Sequence, residues 1–175
     1  MVLLGNGDLL ISDNTQGGLY LEHEGSLKRI DHGDFISPQT PAWESSSKRL
    51  VVPDYTRGLG VLDLSNGKVR WIQMDNHALE GIDGLYFHRN KLYAVQNGTS
   101  PGRVLAFTLN SDFSRVTSEN IIESATPAID PTHGVFVDND FYYITNAGWD
   151  HLDDNGNVKA GETLTVKALP SSRWS

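Results

Sequence analysis

The feature that most constrains this fold is a short apolar run that ends in a polar residue and recurs along the chain. The ends of these runs lie at Asp13, Asp54, Asn97 and Asn146. Successive ends are 41, 43 and 49 residues apart, and no helical pattern lies between them. Several short strands in a period of about 40 to 50 residues are typical of a β-propeller, in which each repeat is a four-stranded antiparallel blade.

The third repeat shows the strand pattern of a blade most clearly. Residues 84–87 and 91–95 are apolar runs whose Leu, Tyr, Phe and Val side chains fit a half-buried pleated surface. The polar residues 88–91 between them predict a four-residue antiparallel connection. Residues 103–109 and 119–122 supply the third and fourth strands. One repeat therefore predicts one complete blade.

We predict an all-β fold with a single propeller domain over residues 1–170. The blades are predicted at about residues 1–33, 34–75, 76–123 and 124–170. Four blades are fewer than the six that this style of blade usually builds, and an open arc would expose sheet edges and a blade face. We therefore expect a fragment of a six-bladed ring that lacks roughly two N-terminal blades. The alternative is a ring closed by four blades.

The same strand pattern predicts which side chains are buried between blades. The first blade is expected to lack part of its inner strand. Ten residues are predicted to be largely buried, although an open end would leave some of them exposed. They are Leu10, Leu19, Trp43, Val51, Val61, Leu85, Tyr93, Val104, Val135 and Tyr143.

The composition limits the classes of function. The 175 residues are 38% hydrophobic with a net charge of −8, which is typical of a globular protein. No apolar stretch approaches the roughly 18 residues of a membrane-spanning helix, and residues 1–5 lack the basic segment and the length of a secretory signal. Lys and Arg are not clustered in the sequence, so nucleic acid is not an expected partner. There is no cysteine. Compartment and oligomeric state stay open.

Four segments carry a resemblance to a known superfamily. They are PQTPAW at residues 38–43, LVVPDY at 50–55, GIDGLY at 81–86 and FYYITN at 141–146. Together they resemble the superfamily of senescence marker protein, gluconolactonase and luciferin-regenerating enzyme. The resemblance implies a six-bladed propeller with a divalent metal, often calcium, at the mouth of its central channel. It also implies that the substrate is a small-molecule lactone or ester, which is hydrolysed with the help of the metal.

The resemblance implies two metal ligands in this chain. Residues 82–85, Ile-Asp-Gly-Leu, match the family's Pro-Asp-Gly-Met-like stretch, so Asp83 is expected to be a metal ligand and the catalytic base. Residues 39–43 align with Asn-Gly-Leu-Ala-Trp, with Gln39 in place of the ligand asparagine. Oxygen ligands of this kind suit Ca²⁺ or Mg²⁺, although the longer Gln39 side chain places its oxygen differently. The family's other two ligands have no counterpart here.

Three further residues are candidates at the channel mouth. Glu80 could be a second carboxylate, and Thr132 and His133 open the inner strand of the last repeat. Inner strands of a propeller lie side by side around the axis, so Asp83, Gln39 and Thr132 or His133 are expected to converge. A cation there would stabilise the negative charge that develops during ester hydrolysis, and His133 could shuttle protons.

Each of these roles has an architectural alternative. Asp83 could cap the turn before Gly84, Glu80 could be a solvated carboxylate, and His133 could bond to backbone at the start of its strand. Repetition of polar residues at the ends of the second strands, at Asp54, Asn97 and Asn146, favours turn capping there.

The chain as a whole also has an alternative function. A propeller can serve as a non-catalytic ligand-binding or scaffold module, because a fold does not determine a function. The replacement of the ligand asparagine by Gln39 favours this alternative.

Overall fold

The structure is a computed structural model that describes residues 1–75, 77–124 and 130–161 and the backbone of residues 167–171. These residues form antiparallel β-strands and one short 3₁₀ helix, Trp149–His151. The strands are β1 Val2–Leu3, β2 Leu9–Asp13, β3 Gly18–His23, β4 Ser26–Arg29, β5 Ala42–Glu44, β6 Arg49–Asp54, β7 Gly58–Leu62, β8 Val69–Trp71, β9 Ile82–His88, β10 Lys91–Gln96, β11 Arg103–Leu109, β12 Val116–Ser124, β13 Gly134–Val137, β14 Asp140–Asn146 and β15 Lys167–Ser171.

The strands pair in chain order into four separate sheets, which we call blades 1 to 4. Strands β1–β4, β5–β8 and β9–β12 form four-stranded sheets, and β13–β15 form a sheet in which three strands are described. The predicted all-β architecture of four consecutive antiparallel sheets is therefore confirmed. The inner strand of blade 1 is short, with two residues, as predicted. Among the described residues, no helix is long and apolar enough to cross a membrane.

The connection between β9 and β10 differs from the prediction. The pairing continues through His88 and Lys91, so the loop has two residues instead of four. Both loop residues, Arg89 and Asn90, have positive φ angles, 47° and 63°. A two-residue hairpin needs this left-handed backbone because it matches the twist of the flanking strands.

The hydrophobic core lies between the blades rather than within one of them. Three apolar clusters fill the three junctions between successive blades. Blades 1 and 2 share Leu10, Leu19, Leu50, Val52 and Leu62; blades 2 and 3 share Val51, Leu59, Ile82, Leu85, Leu92 and Leu105; blades 3 and 4 share Tyr93, Val95, Val104, Phe141 and Tyr143. Each sheet is therefore stabilised by the blade beside it.

Most of the predicted core is confirmed. Seven of the ten residues are buried, namely Leu10, Leu19, Val51, Leu85, Tyr93, Val104 and Tyr143. Trp43 and Val61 are partly buried at cluster edges. Val135 is 55% exposed, which the prediction allowed for residues at an open end. Side chains alternate along a strand, and Phe136 packs towards blade 3, so Val135 points to the other face of blade 4, which no described blade covers.

The junction between blades 1 and 2 provides a test of this packing. Leu50→Ala should lower the free energy of unfolding by about 2–5 kcal/mol, because Leu50 is fully buried and its removal leaves a cavity. Leu27→Ala is the matched control, since Leu27 also lies in a strand but is 58% exposed; its effect should stay below about 1 kcal/mol. Urea denaturation measures both changes, and equal losses would contradict a core at the blade junction.

Candidate functional site

Asp83 lies at the start of β9, where blades 3 and 4 meet. Its Oδ2 accepts a hydrogen bond from Thr132 Oγ1 at 2.5 Å and a longer one from Asn97 Nδ2 at 3.4 Å. Thr132 lies just before β13 in blade 4 and is 49 residues from Asp83 in the sequence. The structure therefore brings the strand starts of two blades together at the carboxylate of Asp83.

Blade 2 reaches the same place through Thr40. The Thr40 backbone N–H donates to the Asp83 carbonyl at 3.2 Å, and Thr40 pairs with Gly84 in a parallel bridge. The Thr40 hydroxyl lies 3.3 Å from His133 Nδ1, although the two residues are 93 positions apart. Polar groups of blades 2, 3 and 4 thus lie side by side at one end of the sheets.

Asn97 is held at this site by blade 2. Its Oδ1 accepts a hydrogen bond from the Tyr55 hydroxyl at 3.0 Å, while its Nδ2 points to Asp83. The close approach of two glycines allows this position: a Cβ atom on Gly81, whose φ is +72°, would lie 2.6 Å from the Gly98 Cα. The prediction that Asn97 caps a turn is therefore wrong, because its side chain joins Tyr55 to Asp83.

The other strand ends do cap turns. The buried Asp54 carboxylate accepts hydrogen bonds from the backbone N–H of Ile36 at 2.6 Å and of Thr56 at 3.0 Å. Asn146 Oδ1 accepts from the Gly148 N–H at 2.8 Å. Turn capping at Asp54 and Asn146 is confirmed.

Negative charge is concentrated around Asp83. Burial raises the pKa of Asp130, and the carboxylates of Asp150 and Asp83 raise it further. Burial, followed by the charges of Asp83 and Asp130, also raises the pKa of Tyr55. Burial raises the pKa of Tyr86 to about 12, although its oxygen accepts a hydrogen bond from the Gly134 N–H at 2.8 Å. Both tyrosines are therefore protonated at neutral pH, and the carboxylates repel one another.

Two predicted site residues have no described link to Asp83. The Gln39 amide nitrogen donates to Ser37 Oγ at 3.1 Å and to the Ser37 carbonyl at 3.4 Å. Glu80 is exposed, and its backbone carbonyl accepts from Gln96 Nε2 at 2.6 Å. Among the described residues, no hydrogen bond connects either side chain to Asp83. Whether any of these residues binds a metal stays a prediction.

Three residues of the site escaped the sequence prediction: Tyr55, Asn97 and Asp130. The sequence does carry a signal for Asp130, because the dipeptide Ile-Asp occurs both at residues 82–83, where β9 begins, and at residues 129–130, shortly before β13. Tyr55 and Asn97 directly follow second strands, and a capping role is the expectation only for Asn97. Their contact depends on the approach of neighbouring blades, which the sequence pattern does not specify.

The oxygen donors fit a hard cation in kind but not in number. Asp83 and Asp130 supply carboxylates, and Thr132 supplies a hydroxyl, which are groups that Ca²⁺ binds. Ca²⁺ takes about six to eight oxygen ligands. Among the described residues, no group of three or more His, Cys, Asp or Glu side chains is arranged to hold a metal. Water would therefore complete much of the coordination shell.

Comparison with known proteins identifies the fold. No family model matches the chain, and no curated protein matches it either. Solved structures do match. Virginiamycin B lyase from Staphylococcus aureus is 13% identical, with a TM-score of 0.63 over 97% of this chain and 54% of that chain. This chain has the fold of a β-propeller.

Two further propellers show the range of functions on this fold. An auxiliary nutrient binding protein from Bacteroides ovatus is 16% identical, with a TM-score of 0.62 over 81% of this chain and 41% of that chain. A luciferin-regenerating enzyme is 15% identical, with a TM-score of 0.53 over 73% of this chain and 43% of that chain. The chain spans about half the length of these structures, and such low identity shows the fold alone.

The raised pKa of Asp130 predicts a pH-dependent change in stability. Because the folded pKa lies above the unfolded value of about 3.9, ionisation of Asp130 destabilises the folded protein. The penalty is absent below the unfolded pKa and complete above the folded one. Without divalent cations, Asp130→Asn should therefore raise the free energy of unfolding at pH 7, and this gain should vanish near pH 3.

Urea denaturation across this pH range measures the effect. Asp112→Asn is the control, because Asp112 is exposed and hydrogen bonds from Ser114, mainly from its side chain, lower its pKa. That substitution should give no gain at pH 7. A loss of stability in Asp130→Asn at pH 7 would mean that its carboxylate is not repelled by its neighbours.

Proposed function

We propose that this chain belongs to a metal-dependent hydrolase of lactones or esters, with a divalent cation, Ca²⁺, at Asp83. The observation that carries the proposal is the position of the Asp83 carboxylate where blades 2, 3 and 4 meet. The resemblance of residues 81–86 to the gluconolactonase superfamily supports the same role for this aspartate. The activity, the substrate class and the metal are parts of the proposal.

Electrostatics supports a cation at this position. Burial raises the pKa of Asp130 most, and the charges of Asp150 and then Asp83 raise it further, so these carboxylates repel that of Asp130. A divalent cation would attract the carboxylates of Asp83 and Asp130 and so remove the repulsion between them. The attraction is stronger for partly buried carboxylates than for exposed ones, because less water screens the charges. Asp83 and Asp130 are both partly buried.

The residues around Asp83 orient its carboxylate through hydrogen bonds. Thr132 and Asn97 donate to the same carboxylate oxygen, Oδ2, which fixes the side chain while other lone pairs remain for a cation or for a proton from water. Tyr55 is a protonated hydroxyl that orients the Asn97 amide by donating to its oxygen. When bound, the metal would act as a Lewis acid that polarises the substrate carbonyl and acidifies a water molecule.

His133 occupies the open side of the site. It is exposed, and its Nδ1 lies 3.3 Å from the Thr40 hydroxyl. An exposed imidazole with one nitrogen held in this way would carry protons between the site and solvent. Its place at the mouth suits proton transfer to a leaving alcohol better than metal binding.

A second function, a ligand-binding or scaffold propeller without catalysis, is favoured by one observation. Gln39 stands where the superfamily that the chain resembles has its ligand asparagine, and its amide nitrogen donates to Ser37, which holds the longer side chain beside its own segment. A shell that lacks this ligand could hold a cation too weakly for catalysis. The two functions differ in whether the cation-loaded protein turns over a substrate.

Calorimetric titration of Ca²⁺ tests the metal site. We expect the wild-type chain to bind Ca²⁺ weakly, with a Kd on the order of 10⁻⁴ to 10⁻³ M, because few protein ligands are present. Asp83→Asn should weaken binding at least tenfold, since it removes a charge from the metal shell. Asp112→Asn, an exposed carboxylate outside the site, should bind as the wild type does. Equal affinity in all three proteins would end the metal proposal.

A hydrolysis assay then separates the two functions. Aldonolactones and aryl esters are incubated with the wild type and with Asp83→Asn at saturating Ca²⁺. Turnover that needs both Asp83 and Ca²⁺ supports the hydrolase. If Ca²⁺ binds but no substrate is turned over, the ligand-binding alternative replaces it.

A further inference from the structure

A large cavity lies at the opposite end of blade 2 from the candidate site. Its volume is about 760 Å³, and it lies beside the turns that join β5 to β6 and β7 to β8. Strand β6 runs from Arg49 in the cavity wall to Asp54, next to Tyr55 of the site. At about 3.3 Å per residue the two ends are roughly 17 Å apart. This cavity is therefore a separate feature of the molecule.

The cavity combines an apolar wall with positive charge. Trp43, Val61 and Leu62 form part of the wall, and Lys48, Arg49, Lys68 and Arg70 also line it. The chain has 14 Lys and Arg residues and a net charge of −8. Four of these 14 cations line this one cavity, against a single lining carboxylate, that of Asp63. The folded chain thus gathers a positive patch that its sequence does not show as a cluster.

The carboxylate of Asp63 is occupied by its own turn. It accepts hydrogen bonds from the Ser65 N–H at 2.8 Å, the Ser65 hydroxyl at 2.6 Å and Asn66 Nδ2 at 2.7 Å. These bonds hold the carboxylate in the turn 63–68. The carboxylate keeps its charge there and also interacts with Lys68, so it offsets part of the positive charge of the cavity.

The cations themselves remain available for an anion. Arg49 and Arg70 each donate one hydrogen bond to the neutral backbone carbonyl of Asp112, at 2.6 Å and 2.5 Å. These bonds fix the guanidinium groups, and each group has further N–H donors that do not take part in this contact. Among the described residues, the ion pairs do not include Lys48 or Lys68. Asp63 acts on Lys68 and Asp112 acts on Arg70, so two carboxylates face four cations and the surroundings of the cavity keep an excess of positive charge.

We propose that this cavity binds a small organic anion. Its aromatic or branched apolar part would pack against Trp43 and Val61, and its carboxylate, sulfonate or phosphate group would lie against the lysines. The volume is within the range of small-molecule pockets, about 300 to 1,000 Å³, and such pockets join apolar walls to a few convergent polar groups. Charge-assisted hydrogen bonds from ammonium and guanidinium groups supply the selectivity for an anion.

The experiment uses an aromatic anion as a probe. Fluorescence titration with 8-anilinonaphthalene-1-sulfonate measures the affinity of the wild type, of Lys48→Gln/Lys68→Gln and of the control Lys28→Gln/Lys91→Gln. The control removes the same charge from two exposed strand lysines outside the cavity. We expect the cavity variant to bind about tenfold more weakly and the control to bind within about twofold of the wild type. Binding to the wild type should also weaken with added salt.

A neutral probe separates an anion site from an apolar surface. N-phenyl-1-naphthylamine has a similar aromatic body without the sulfonate, and we expect its affinity to be equal in all three proteins. Urea denaturation shows whether each variant is folded. If the double variant Lys48→Gln/Lys68→Gln does not fold, the single variant Lys68→Gln replaces it, with an expected loss of sulfonate affinity of about threefold. Equal loss of sulfonate binding in both double variants, or no binding to the wild type, would overturn the proposal.

Discussion

The contact between the apolar faces of neighbouring blades is the interaction on which the structure depends. A single four-stranded sheet buries little surface alone, and here the buried leucines, valines and aromatic residues lie in clusters at the three blade junctions. The turns and hairpins shape each blade, but the adjacent blade excludes water from it. The exposed Val135 shows the consequence, because the face of blade 4 to which it points has no described neighbour.

The same contact creates the polar site. When two blades pack face to face, the starts of their inner strands lie next to each other, and residues far apart in the chain become neighbours. Thr132 reaches Asp83 across 49 positions, and Thr40 reaches His133 across 93. Charge concentrates there because the partly buried carboxylates of Asp83 and Asp130 share one end of the sheets. Packing energy from the blade junctions thus holds together groups that repel one another.

The sequence predicted those features that depend on local pattern. Alternation and turn residues gave the strands, and the repeat placed Asp83 and Thr132 at equivalent strand starts, where the structure shows them in contact. Side-chain orientation could not be predicted in the same way. The Gln39 amide nitrogen donates to Ser37. The Asn97 amide binds Tyr55 and Asp83 instead of capping the adjacent turn. The Gln39 contact is local, two residues along the chain, but the sequence pattern gives no side-chain rotamer. The Asn97 contacts depend on Tyr55 of blade 2, about which a single repeat holds no information.

We propose that the packed blades hold Asp83 and Asp130 together as one cation site. Titration with Tb³⁺ tests this site, because Tb³⁺ takes the same kind of oxygen ligands as Ca²⁺ and its luminescence reports binding. The titration is carried out on the wild type, Asp83→Asn, Asp130→Asn and the double variant, which together form a double-mutant cycle. Each substitution should weaken Tb³⁺ binding. The change in binding free energy of the double variant should differ from the sum of the two single changes by at least about 0.5 kcal/mol. Additive effects within about 0.3 kcal/mol, or no effect of either substitution, would contradict it.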